Sequence, residues 1–152
     1  MQQNHNKILV ELINKTNSQN SKKFFKELDL KVKKIIGHKL FTLMVVDKSL
    51  KYVERVYSSN IKAYPLLGTK PIPKNEWTKK VVLNKKNFLG KDMKTIKKLF
   101  FDHEVISSLG CGSIINIPVI NNNIILGTMN ILHKEFYYCL LYTSDAADDS
   151  RS

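Results

Sequence analysis

The thiol of Cys111 stands between Gly110 and Gly112, just past the end of a predicted helix. Its small neighbours give it access. The carbonyl end of a helix, however, carries partial negative charge and disfavours the thiolate that nucleophilic chemistry requires. A free cysteine otherwise behaves as a small buried hydrophobe, so the setting favours a structural thiol over a redox centre. The histidines, His5, His38, His103 and His133, form neither a HExxH pattern nor a zinc-binding spacing, and no metal site is expected. Asp102-His103-Glu104 brings acid and base groups together, but it opens a predicted helix. There Asp is expected as the cap and Glu as a partner of the helix dipole. Gly110-x-Gly112 follows a helix and enters a strand, the reverse of the dinucleotide-binding order. No catalytic constellation emerges, and neither a catalytic residue nor a cofactor is assigned.

The elements that must position these residues centre on Leu109 to His133. Two Ile- and Val-rich runs flank Asn121-Asn122-Asn123, and Asn tolerates positive φ, so the stretch predicts a hairpin. Both runs lack a polar side, which predicts a sheet centre covered on both faces. A three-residue loop would pair Asn116 with Thr128; a two-residue loop, Asn122-Asn123, would pair Ile117 with Thr128. Upstream, a helix over about 4–16 carries Ile8, Leu9, Leu12 and Ile13 on one face. A second, over about 21–36, carries Phe24, Phe25, Leu28, Val32, Ile35 and Ile36, with Ser21 as N-cap and Gly37 as its end. Strands follow at 40–46 and 52–58, the second predicted at an edge. The segment 60–74, with three prolines and Gly68, is expected to be irregular in part. Then come a short helix at 76–85 with Trp77 and Val81 on one face, a short strand at 87–90, and two helices capped by Asp92 and Asp102. The sum is α+β with an antiparallel sheet. His38 and His133, at strand ends, would approach one another if those strands pair.

The helix end, the glycines, Ser113 to Val119 ending in Pro118-Val119, the turn, and Leu126-Gly127-x-Met129-Asn130 resemble the C-terminal strands of a GAF domain. Val56-Tyr57-Ser58-Ser59, Tyr64-Pro65 and Gly68-Thr69-Lys70-Pro71-Ile72 are similar to bacterial stand-alone GAF proteins, and the resemblance runs from about residue 20 to 133. It implies strand order 2-1-5-4-3, with N-terminal helices on one face and a mixed helix and loop crossover on the other. It also implies a small-molecule pocket between the sheet and the crossover. Tyr64, Trp77 and Cys111 would be its walls, and Asn116, Thr128 and Asn130 its polar groups. The function this implies is that of a sensory or regulatory module without catalysis of its own. It would homodimerise through its N-terminal helices and signal through a partner protein. The alternative is a redox sensor or a methionine-sulfoxide-reductase-like enzyme using Cys111, although that branch of the family uses several cysteines.

Composition narrows the partners. The 152 residues suit one domain, with 43% hydrophobic residues for a core and no apolar run long enough to span a membrane. The N-terminus lacks the order of a signal peptide, so the cytoplasm is the expected compartment. After Tyr138 the character changes: Cys139 to Asp148 resembles translated read-through of a sequencing-library adaptor. The expected division is thus a domain over 1–138, lacking a natural C-terminal helix, and a non-native, disordered tail over 139–152. Cys139 then drops out of the reckoning. The formal charge is +12, but Arg55 is the only arginine before the tail. Lysine joined to abundant Asn and Ile points to AT-rich coding rather than to nucleic-acid binding, which favours the arginine fork. With the final helix absent, Phe41, Leu43 and Val45, or Leu40, Met44 and Val46, are expected to be unusually exposed.

Overall fold

Asn122 and Asn123 take positive φ, 51° and 62°, and close a two-residue hairpin loop with Asn121 paired to Ile124. A bulge between Val119 and Ile120 then shifts the pairing, so that Pro118 faces Thr128 and Asn116 faces Asn130. Neither of the two registers expected from the loop length alone survives the bulge. The two strands are β5 (Ser113–Asn121) and β6 (Ile124–His133). The computed structural model describes residues 19–66 and 68–139. The predicted helix over 4–16, and the tail beyond residue 139, lie outside the described residues.

The remaining strands are β1 (Leu40–Val46), β2 (Tyr52–Ser58), β3 (Thr69–Pro71) and β4 (Phe88–Gly90). They form one antiparallel sheet in the order β3-β2-β1-β6-β5-β4. The expected five-strand order is contained in it. The addition is β3, which pairs Thr69–Pro71 with Glu54–Tyr52 and so covers part of the edge expected at β2. At the centre, β1 and β6 approach so closely that a Cβ on Gly127 would stand 2.0 Å from the Met44 carbonyl oxygen. Only glycine can occupy that position without moving the strands apart. The β1–β2 connection is held by Asp47, whose carboxylate accepts from the backbone N–H groups of Ser49, Lys51 and Tyr52.

Helix α1 (Gln19–Ile35) lies over one face. Ser21 falls within its first turn rather than before it, and Gly37 at φ 90° ends it. The apolar stripe is narrower than expected. Phe25, Leu28 and Val32 pack towards Phe41, Leu43 and Ile131, while Phe24 (60% exposed) and Ile35 (73%) point to solvent. The expectation of a bare β1 is overturned. Phe41, Leu43 and Val45 are buried, as are Leu40 and Val46, and Met44 is half-buried. Helix α1 and the fully buried ring of Tyr138 supply the missing cover, at about 1.5–3 kcal/mol for each buried large side chain. Inside this face Asp29 accepts the Tyr57 hydroxyl (2.5 Å) and pairs with His38 Nε2 (2.7 Å), tying α1 to β1 and β2. β1 and β6 pair, as the expected approach of His38 and His133 requires, and His133 stacks on Tyr137 with ring centroids 3.6 Å apart.

The opposite face carries the crossover. A π-helical turn over Thr78–Leu83 is followed by β4, α2 (Met93–Leu99) and α3 (His103–Ser108). Asp92 caps α2 as expected, accepting from Thr95 N at 2.9 Å. Val81, Val82, Ile96 and Ile106 bring the crossover down on to Val46, Ile125, Leu40, Ile114 and Leu132 of the sheet.

Candidate functional site

Between that face and the crossover lies a cavity of about 150 Å³, enough for roughly five waters or one six-membered ring. Its floor is a row of side chains crossing three strands. Trp77 Nε1 donates to Asn116 Oδ1 (2.9 Å), Asn116 Nδ2 to Asn130 Oδ1 (2.7 Å), and Asn130 Nδ2 to Thr42 Oγ1 (3.0 Å). Asn116, Asn130 and Thr42 line up because β5, β6 and β1 pair Asn116 with Asn130 and Asn130 with Thr42. All four residues are buried. The indole can only donate, which fixes both amide orientations and leaves Thr42 Oγ1 as the final acceptor. Trp77 is held in turn by Asn75, which accepts from Thr78 N and donates to the Leu99 carbonyl.

The rim is charged. Tyr64 is fixed by a turn in which Asn60 accepts its backbone N–H and, through Oδ1, that of Ala63. Its hydroxyl donates to Asp102 Oδ2 at 2.5 Å. Asp102 therefore makes no side-chain cap to α3, contrary to the sequence expectation, and faces the cavity instead. Arg55 of β2 lies over the Tyr64 ring, 4.7 Å from its centroid, and donates from Nη1 to the Pro65 carbonyl at 3.0 Å. The Nε–H of Arg55 is buried without an acceptor. Burial, then the bond to Asp102, pushes the Tyr64 hydroxyl pKa up. Burial lowers that of Arg55, against the opposing pull of Tyr64 and Asp102. Leu40, Val53, Phe100 and Ile106 supply apolar wall.

Of the six residues assigned to a pocket from the sequence, Tyr64, Trp77, Asn116 and Asn130 line this cavity. Cys111 does not: it packs among Leu40, Ile106 and Leu132, and burial pushes its thiol pKa up despite Lys39. Thr128 lines a separate apolar groove between α1 and the sheet, beside Phe24, Phe25 and Val119. Thr42, Arg55 and Asp102 were missed. An arginine on β2 among many lysines was the available signal for one of them. Among the described residues no three or more His, Cys, Asp or Glu side chains gather as a metal site. No helix among them is long and apolar enough to cross a membrane.

No family model matches the sequence, and no curated protein matches it either. Solved structures do match in shape. The GAF domain of a two-component sensor histidine kinase from Bacillus halodurans aligns with TM-score 0.61 at 14% identity, over 78% of each chain. The GAF domain of a phosphoenolpyruvate-protein phosphotransferase from Coxiella burnetii gives 0.60 at 14%, over 88% of this chain and 79% of that one. This chain has a GAF fold. A further match is NreA from Staphylococcus aureus, solved with its nitrate binding site mutated. It gives a TM-score of 0.51 at 14% identity, over 76% of this chain and 86% of that one. In this GAF fold the cavity lies where the sheet meets the crossover, the position expected from the sequence resemblance.

Proposed function

We propose that the protein is a ligand-binding sensory module that holds one small molecule in the cavity between sheet and crossover and passes its state to a partner protein. One observation carries this reading: the hydrogen-bonded row Trp77, Asn116, Asn130 and Thr42 forms the floor of a cavity with apolar walls and a charged rim. A few convergent polar groups set among apolar walls are what orient a bound ligand. Ligand binding would shift the population between two arrangements of the elements around the sheet. The NreA structure, described by its nitrate binding site, is a precedent within the fold for a small ligand.

Trp77 is the only tryptophan, so its emission reports on the cavity directly. Titration of the protein with a library of small metabolites should give at least one compound that both changes Trp77 fluorescence and raises the melting temperature. A library in which stabilising compounds leave the indole unaffected would place binding elsewhere and end this reading. A homodimer through the outer side of α1 belongs to the same proposal. It is supported by Phe24 and Ile35, three turns apart on one exposed stripe.

A further inference from the structure

The hydrogen-bond accounting of the cavity points to the chemistry of its ligand. Along the floor, each amide spends one N–H on its neighbour and keeps a second. Thr42 accepts from Asn130, so its own O–H remains to donate. At the rim, Arg55 spends Nη1 on the Pro65 carbonyl, while its buried Nε–H has no acceptor. Uncommitted N–H and O–H groups therefore stand at both ends of the cavity. An unpaired buried donor on a cation is costly, and an acceptor oxygen placed on it recovers that cost. The lining holds two cations, Arg55 and Lys70, and one carboxylate, Asp102, which already accepts from Tyr64; the lining's one net positive charge matches a single negative charge on the ligand.

Resting on the reading of this cavity as a ligand site, we propose that it takes a small monocarboxylate carrying a second acceptor oxygen, of the 2-oxo acid kind. The carboxylate sits on Arg55, the second oxygen lies on the Asn130–Thr42 end of the row, and a short apolar chain lies against Phe100 and Ile106. The single net positive charge of the lining, Arg55 and Lys70 against Asp102, selects against dicarboxylates. The volume suits a ligand of about the size of a six-membered ring.

Titration of the full chain with 2-oxobutanoate, butanoate, butanone, succinate and benzene, followed by Trp77 fluorescence and melting temperature, tests this. The expected order is 2-oxobutanoate first, with butanoate and butanone each weaker by about tenfold or more and succinate without effect. Arg55→Gln should abolish the preference of 2-oxobutanoate over butanone, and Arg55→Lys should restore only part of it. Thr42→Val should narrow the gap between 2-oxobutanoate and butanoate without touching that between 2-oxobutanoate and butanone, which share the oxo oxygen. Equal binding of butanone and 2-oxobutanoate, or an unchanged preference in Arg55→Gln, would overturn the carboxylate assignment. Benzene separates the two levels of argument. If benzene quenches Trp77 while no acid binds, the cavity is a ligand site and the monocarboxylate inference is wrong. If no compound of the panel, benzene included, reaches the indole, both fall.

Discussion

Asn116 holds two neighbours at once, accepting from the Trp77 indole and donating to Asn130. Truncating it strands a buried N–H on one side and a buried carbonyl on the other. Asn116→Ala should therefore destabilise the protein by about 2–6 kcal/mol, counting one unpaired group on each side, as read from the denaturant midpoint. Asn116→Leu fills the space but not the bonds, and should recover only the packing part of that loss. Cys111 behaves oppositely. It is buried, and its thiol pKa is raised by that burial, so the reactive thiolate is disfavoured twice. Cys111→Ser should leave ligand affinity within about twofold, and alkylation of Cys111 in the native protein should be far slower than in the unfolded chain. Loss of a peroxide response or of a reductase activity in Cys111→Ser would instead revive the thiol as the working group.

Among the elements, α2 depends on its cap. The Asp92 carboxylate accepts the Thr95 backbone N–H (2.9 Å) and hydroxyl (2.8 Å), and these bonds hold its pKa below the ordinary carboxylate value, against slight burial. A depressed folded pKa stabilises fully above the unfolded value and is lost as pH falls through the folded one. Asp92→Ala should cost about 1 kcal/mol near neutrality, and the gap in melting temperature should narrow below about pH 4. That cap was legible in the sequence because both partners lie within one turn. The hairpin loop was legible for the same reason. The bulge between Val119 and Ile120 was not, since a register shift belongs to the pairing of two strands and leaves no mark within one turn of sequence. Asp102 had the local look of a cap, and only Tyr64, thirty-eight residues earlier, diverts it to the cavity. Asp29 left a visible trace: a carboxylate in step with Phe25 and Val32 on an apolar stripe asks for a buried partner. Which partner, His38 and Tyr57, depended on the sheet.

For the molecule as a whole, the open question is what meets the outward side of α1. Phe24 and Ile35 are exposed there, while the inward residues of the same helix are used in the core. Under the proposed dimer, sedimentation should give a concentration-dependent dimer, and Ile35→Glu should shift it to monomer without lowering the monomer's melting temperature, since that side chain is exposed, whereas Phe24→Glu also loses the ring contact with Phe25. A monomer at all concentrations in the parent protein would remove the dimer from the proposal.

The strand β1 has one further consequence. Leu40, Thr42 and Met44 border the cavity, while Phe41 and Leu43, the residues between them, pack with Val32 of α1. The two compartments share a party wall one backbone thick, and whatever leans on one side is felt in the next room. Filling the cavity should then slow amide hydrogen exchange around Val32, a site the ligand never touches.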